Sequence, residues 1–313
     1  MSDEPVPYVS RHRASIPRWI EHLKESMPDE RVVPFDTLDE VERSRVRVAV
    51  VADPDPADLA SLPALEWVQS TWAGVERLIE DLPPALHVSR LTDPRLADTM
   101  SEAVLTAVLW LHRNGPTYAR QQDKREWRER PTVRPERRTV GVLGLGKLGS
   151  DAAMRLAANN FRTLGWSRTK HDLPGVTTYH GRAGFVATIA ASEIVVVLLP
   201  LTVETRGLID GRIVGAMRPG TSIVNFGRGP IIDDAALLSA LDGGRVAHAF
   251  LDVFATEPLP ADHPFWAHER VTIWPHVSAP TDVESASAIV GEAIRHWRET
   301  GERPPAVDRQ RGY

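Results

Sequence analysis

Three glycines set the frame of this chain. An apolar run, Thr139-Val140-Gly141-Val142-Leu143, leads into Gly144-Leu145-Gly146-Lys147-Leu148-Gly149. A helical run follows to Asn160, and a second apolar run, Phe161-Arg162-Thr163-Leu164-Gly165-Trp166, ends in Ser167-Arg168. Strand, G-x-G-x-x-G turn, helix and strand make a complete βαβ unit. Such a unit holds a dinucleotide pyrophosphate at the helix N-terminus. The glycines act separately: Gly144 for a tight turn, Gly146 for close approach of backbone to phosphate, and Gly149 for helix-to-strand packing. A glycine triplet alone is weak, because glycines often only punctuate loops. Here Leu148, Ala152, Ala153, Leu156 and Ala157 give the helix an apolar face.

The end of the second strand reports on the cofactor. NAD-binding units carry an acidic residue about 20 positions after the glycines, which takes the ribose 2′-hydroxyl. This chain has Ser167-Arg168-Thr169-Lys170 there and no carboxylate before Asp172. A carboxylate repels a 2′-phosphate, whereas a hydroxyl and a guanidinium hold it. The expected cofactor is therefore NADP(H) in preference to NAD(H). The plainer alternative is that Arg168 and Lys170 are ordinary surface charges.

Composition narrows the class. The 313 residues suffice for one large domain or two ordinary ones, and 42% hydrophobic with 25% charged residues is globular composition. A net charge of −5 argues against a general nucleic-acid or anionic-membrane binder. The absence of cysteine excludes disulfides, thiolate catalysis and cysteine-ligated zinc. The histidines are scattered, and no metal site is expected. The longest apolar run, near Ile194 to Leu199, has the length of a buried strand rather than a membrane span. The start is acidic and broken by Pro5 and Pro7, unlike a secretory signal, so the expected location is cytoplasmic.

The pattern divides the chain. Residues 1 to about 95 read as a smaller α/β unit: strands at 6–9, 32–33, 46–51, 67–71 and 87–91, with a helix from Pro17 to Ser26. The strand at 67–71 runs into Trp72-Ala73-Gly74-Val75-Glu76, a small-residue turn opening a helix. Exposed N–H groups in such a turn can hold a carboxylate, although a plain strand-to-helix connection looks the same. An amphipathic helix from Leu96 to Asn114 leads out of this unit. Residues 115–138 read as a polar arm or loop bearing Trp127, either a partner surface or packing on its own domain. After the βαβ unit, strands at 194–199, 222–225, 247–253 and 271–274 are joined by helices near 206–217 and 234–241. This alternation predicts a parallel sheet with helices on both faces. A last helix, Glu284 to Thr300, is expected to cross back to the first unit.

Ligands of open parallel sheets bind outside the carboxyl ends of the strands. Arg228, Glu257 and His276 fall at three such ends. Singly, each has a plainer reading as a surface charge, a loop carboxylate or a turn histidine. Together they form a chemical set. Reduction of a 2-keto acid needs a cation for the carboxylate, a proton donor for the carbonyl oxygen, and a group that keeps the donor protonated. An arginine, a histidine and a neighbouring carboxylate supply these.

With these motifs in place the chain resembles the D-isomer-specific 2-hydroxyacid dehydrogenases, most closely the glyoxylate/hydroxypyruvate reductase A branch. The resemblance runs through residues 72–76, 144–149, 166–169, 199–202, 225–229, 251–260, 275–277 and the tail Val307 to Tyr313. It implies two Rossmann-like α/β domains, doubly wound parallel sheets with a cleft between them. Residues 1–96 with 281–313 would be a flavodoxin-like substrate-binding domain, and 97–280 the dinucleotide-binding domain. By the same resemblance Arg228 binds substrate, Glu257 pairs with His276, and His276 is the acid/base. Trp72, Ala73 and Gly74 form the substrate loop. Ser167, Arg168 and Thr169 take the 2′-phosphate, and Asp252 contacts the nicotinamide amide. Gly144, Gly146, Lys147, Leu148, Gly149, Leu199, Pro200, Thr205, Phe226, Gly227, His276 and Ser278 complete the cofactor contacts. A small 2-keto acid is the implied substrate and a homodimer through the dinucleotide domain the implied assembly. Trp72 stands where a glycine is common in the reductase A branch, so the pocket is expected to favour a larger or more apolar side chain. A dinucleotide-sensing corepressor and a phosphite oxidase are the competing readings; Glu257, where formate dehydrogenases carry glutamine, speaks against formate.

Overall fold

The computed structural model describes residues 4–309; the tail motif from Gln310 to Tyr313 lies outside them. The chain forms two compact units, Met1–Arg95 with Thr281–Tyr313, and Leu96–Pro280. Among the described residues, no helix is long and apolar enough to cross a membrane.

The discontinuous unit contains β1 (Pro5–Ser10), α1 (Ile16–Ser26), β2 (Arg31–Pro34), α2 (Glu40–Arg43), β3 (Val48–Ala52), α3 (Pro56–Ala60), β4 (Trp67–Ser70), α4 (Glu76–Asp81) and β5 (His87–Ser89). Its sheet has the order β2-β1-β3-β4-β5, and every pairing is parallel. This is the flavodoxin-like doubly wound order. Strand β3, Val-Ala-Val-Val-Ala, is buried at every position, as expected of a parallel strand covered on both faces. Helix α5 (Pro94–His112) carries the chain onward.

The contiguous unit contains α6 (Gly115–Asp123), β6 (Thr139–Leu143), α7 (Lys147–Ala158), β7 (Arg162–Ser167), β8 (Val176–His180), α8 (Gly181–Ala191), β9 (Ile194–Val197), α9 (Gly211–Ala216), β10 (Thr221–Asn225), α10 (Asp234–Asp242), β11 (Val246–Leu251) and β12 (Val271–Ile273). Its seven strands run β12-β11-β10-β9-β6-β7-β8, all parallel. The order reverses between β6 and β9, the switch point where doubly wound sheets bind ligands. Because every strand is parallel, all carboxyl ends share one edge.

Several expectations change. Residues 115–123 are helix α6, not loop. Asn114 in the left-handed region (φ +59°) turns the chain, and Pro116 sits in the first turn, where its missing N–H costs nothing. Strand β8 and helix α8 have no counterpart in the sequence reading. Strand β8 is a half-exposed edge, Val-Thr-Thr-Tyr-His, without the apolar run of an interior strand. The helix near 206–217 shrinks to α9, because Ile209 bridges Ile232 and Asp210 then caps the Ile213 N–H. Strand β3 starts two residues late, since the Val46 N–H still bonds the Arg43 carbonyl.

The last helix, α11 (Val283–Thr300), belongs to the discontinuous unit. Asp282 caps it at the Ser285 N–H, and Gly301 ends it with φ +78°. Val283, Ala286, Val290, Ile294 and Trp297 enter the core that also holds Tyr8, Leu23 and Trp67. Trp297 packs edge-on to Trp67 at 5.4 Å, with the guanidinium groups of Arg47, Arg298 and Arg303 within 5.7 Å of its ring. Arg298 in turn bonds Glu4 at 2.9 Å and Glu30 at 3.0 Å. The apolar area of a buried tryptophan outweighs the partly buried ion pairs around it. Trp297→Ala is therefore expected to lower stability by about 3–5 kcal/mol. Urea unfolding followed by circular dichroism checks this; a loss below about 1 kcal/mol would show that α11 is held mainly by its charges.

Candidate active site

The glycine turn after β6 has three different local reasons. Gly144 adopts φ +103°, a conformation that side chains resist. A Cβ on Gly149 would overlap the Gly144 carbonyl oxygen, so helix and turn could not approach. A Cβ on Gly146 would meet nothing within 4 Å. Nothing inside the chain therefore demands glycine at 146. This exposed residue opens the twelve-residue helix α7, whose first N–H groups point outward. A phosphate approaching those amides supplies the missing reason, and the turn fits a dinucleotide pyrophosphate. Lys147 is exposed at the first helical position, while Leu148 packs on the core around Leu145 and Leu156.

Other expected cofactor residues sit on the same sheet edge. Ser167 closes β7, and its hydroxyl donates to the Thr169 carbonyl, which shapes the turn presenting Arg168. Arg168 lies near enough to Glu204 to help hold that carboxyl below its usual range, after the larger effects of the Thr202 hydroxyl and the local backbone. Leu199 and Pro200 follow β9, and the Thr205 hydroxyl donates to the Pro200 carbonyl at 2.6 Å, folding that loop on itself. Phe226 is buried after β10, stacked on Trp274 with centroids 5.6 Å apart. Gly227 is also buried there, its N–H bonded to the Asn225 side chain at 3.2 Å.

The three ionisable residues converge within this unit. Arg228 follows β10, Glu257 the β11 loop, and His276 lies just beyond β12. His276 Nδ1 is 2.7 Å from a Glu257 carboxylate oxygen, and the other oxygen accepts the Phe254 N–H at 2.8 Å. Gly229 explains how the Arg228 and Glu257 loops come together: a Cβ there would overlap the Phe254 backbone. The Asn225 side chain ties the first of these loops, donating to the Arg228 carbonyl at 3.1 Å. Arg228 Nη1 donates to the Gly227 carbonyl at 2.7 Å.

Electrostatics agree with this geometry. The hydrogen bond to Glu257 raises the His276 pKa above the ordinary 6.5, against opposition from burial and from Arg228. Burial pushes the Glu257 carboxyl up, but the bonds from His276 and the Phe254 amide and the nearby Arg228 leave it below its usual range. With Nδ1 held by a carboxylate, Nε2 is the ring nitrogen left to exchange a proton with a ligand.

Asp252 has a part that the sequence reading missed. It is fully buried, and its two carboxylate oxygens accept the N–H groups of Val277 at 2.7 Å and Ser278 at 3.0 Å. Its own carbonyl accepts the His276 N–H at 2.9 Å. One acid thus ties down three consecutive residues, and His276, the first of them, has φ +55°, uncommon outside glycine. The signal was present in Leu251-Asp252-Val253, an acid closing an apolar strand, but its partners lie 25 residues away.

In the discontinuous unit, Trp72 and Ala73 follow β4 in a bend, and Gly74 comes directly after it. The Trp72 N–H bonds the Ser70 hydroxyl at 3.0 Å. Among the described residues, the Ala73 and Gly74 N–H groups meet no acceptor, as a carboxylate-holding turn requires.

The His276 pair yields a prediction. A raised pKa means that the folded chain holds this proton more tightly; that contribution is full below 6.5 and fades as pH rises through the folded value. The ring is expected to titrate above 6.5, and Glu257→Gln to bring it down. Histidine-selective NMR reads both, and an unchanged midpoint in the variant would contradict the assigned cause.

Comparison with known proteins agrees with this geometry. Residues 105–278 match the family model "D-isomer specific 2-hydroxyacid dehydrogenase, NAD binding domain". A D-isomer specific 2-hydroxyacid dehydrogenase from Xanthobacter autotrophicus, solved with NADPH and MES, is 36% identical over all of both chains, with TM-score 0.91. The NADPH-dependent glyoxylate/hydroxypyruvate reductase of Sinorhizobium meliloti, solved with NADP and sulfate, is 32% identical over 99% of this chain and 100% of its own, with TM-score 0.90. A probable 2-hydroxyacid dehydrogenase from Rhizobium etli, solved with NADP, HEPES and L(+)-tartaric acid, is 30% identical over 99% of this chain and 100% of its own, with TM-score 0.87. On the family match and these whole-chain likenesses, the chain belongs to the D-isomer specific 2-hydroxyacid dehydrogenases and is an NAD(P)-dependent enzyme.

Proposed function

We propose that the enzyme reduces a small 2-keto acid to the D-2-hydroxy acid, using NADPH in preference to NADH. The observation that carries this reading is the 2.7 Å His276–Glu257 pair beside Arg228. A bound reduced nicotinamide supplies the hydride. The residues of the chain do the rest. His276 gives its Nε2 proton to the keto oxygen as negative charge develops there. Glu257 stabilises the imidazolium and fixes the ring. Arg228 binds the substrate, and its charge favours the oxyanion-like transition state. In the smaller unit, the free Ala73 and Gly74 amides supply donors for a carboxylate. Asp252 anchors the His276 loop, and from there it would hold the nicotinamide amide.

The NADPH preference rests on the end of β7. Ser167 shapes the turn, Arg168 offers a guanidinium, and no acid stands at the ribose position before Asp172. The two relatives solved with NADP and the one solved with NADPH support it. The same reading makes the chain a homodimer through the dinucleotide domain; Trp127, 99% exposed on the segment after α6, supports a partner surface.

Two outcomes are expected. His276→Ala loses reduction by at least about a hundredfold, the lower range for a general acid, while NADPH binding by fluorescence persists. Near-normal turnover would remove the mechanism. Arg168→Ala lowers the ratio of kcat/KM with NADPH to that with NADH by about tenfold or more, the scale of one charge-assisted bond. An unchanged ratio would leave Arg168 an ordinary surface charge.

A further inference from the structure

The carboxyl edge of the smaller sheet carries a second feature beside the carboxylate-holding turn. His12 follows β1, Asp53 follows β3, and Trp72 and Arg77 follow β4. Asp53 joins them. One of its oxygens is 3.8 Å from His12 Nε2 and the other 3.7 Å from Arg77 Nη1. Its backbone carbonyl accepts the Arg11 N–H at 3.3 Å, and its φ is +45°, a conformation costly outside glycine. The His12 ring lies 5.7 Å from the Trp72 ring. Both partners of Asp53 are open to solvent, 56% exposed for His12 and 71% for Arg77, while Asp53 is only 21% exposed. Arg90, after β5, approaches the Ala73 carbonyl at 3.5 Å.

One carboxylate is thus shared by an imidazole and a guanidinium, and Arg11 and Arg90 add positive charge to the same edge. In a chain of net charge −5 this edge is locally basic. Trp72 directly precedes Ala73 and Gly74 in the chain, and its ring contacts His12. A ligand whose carboxylate sits on those amides therefore extends along the indole toward His12 and Arg77. An apolar side chain there would strip water from a guanidinium and an imidazole and return nothing. An anionic group would replace that water, and a guanidinium with five donors can hold it without releasing Asp53.

Building on the reductase reading, we infer that His12 and Arg77, oriented by Asp53, form a subsite for a distal carboxylate, so the preferred substrates are 2-keto dicarboxylic acids. The indole of Trp72 packs along the connecting carbons.

Matched pairs test this. Initial rates of NADPH oxidation by the full-length protein are compared for 2-oxobutanedioate against 2-oxobutanoate, and for 2-oxopentanedioate against 2-oxopentanoate. Each pair differs at the distal group alone. The expected kcat/KM ratio favours the diacid at least tenfold in one pair. Arg77→Ala and His12→Ala each lower that ratio at least tenfold, and Arg77→Lys restores part of it. A ratio at or below one in the unmodified protein overturns the inference, as does a ratio unmoved by Arg77→Ala. Preference for phenylpyruvate over every diacid overturns it in favour of an aromatic pocket on Trp72. If no acid turns over, the reductase reading fails. Calorimetric titration of the same acids then still decides the subsite: tighter diacid binding lost in Arg77→Ala upholds it, and equal binding overturns it.

Discussion

A buried carboxylate organises the reactive edge of the larger unit. Asp252 is removed from water, which is tolerable only because both oxygens accept backbone N–H groups. Those bonds fix Val277 and Ser278, and the Asp252 carbonyl fixes His276. The histidine is thereby held in a left-handed conformation that an unanchored chain would leave. Its ring then meets Glu257, whose own orientation is set by the Phe254 amide. The proton-carrying pair is thus held by backbone bonds on both sides, so its geometry does not depend on a ligand.

The parallel sheet makes such a constellation possible. Residues scattered from 144 to 276 reach one edge because every strand delivers its carboxyl end there. Between loops, the close approaches are made by glycines: Gly149 against the glycine turn and Gly229 against Phe254. The Arg-Gly dipeptide at 228–229 joins two requirements, a cation beside the Glu257–His276 pair and a residue small enough for the neighbouring loop to press upon it.

Most of the two sheets was legible from alternation of apolar runs with helical periods. The losses have physical reasons. Strand β8 is an edge whose exposed positions are polar, so it lacks the apolar signature that marks β3 and β9. Helix α6 is polar with a proline in its first turn, and reads as loop until Pro116 and Gln121 are seen buried. At the candidate site, the convergence of Arg228, Glu257 and His276 was legible because all three follow strand ends of one parallel sheet. The anchoring by Asp252 and Asn225 could not, since their partners are backbone amides and carbonyls that carry no sequence signature. The cluster of His12, Asp53 and Arg77 was equally hidden: three residues from three loops, joined only when the small sheet aligns its strand ends.

The placement of α11 has a consequence for biosynthesis. The larger unit is one continuous stretch and is fully translated by Pro280. The smaller unit begins the chain, yet its core stays open until Val283, Ala286, Val290, Ile294 and Trp297 arrive. Vectorial synthesis ordinarily lets the first domain fold first. Here that order is inverted, and strands β1 and β3 must wait with one apolar face covered by α1 alone while the later-made unit closes. A nascent chain of this design exposes its aggregation-prone surface longest at its own beginning, which makes the interval between Arg95 and Val283 the time when it most needs shielding.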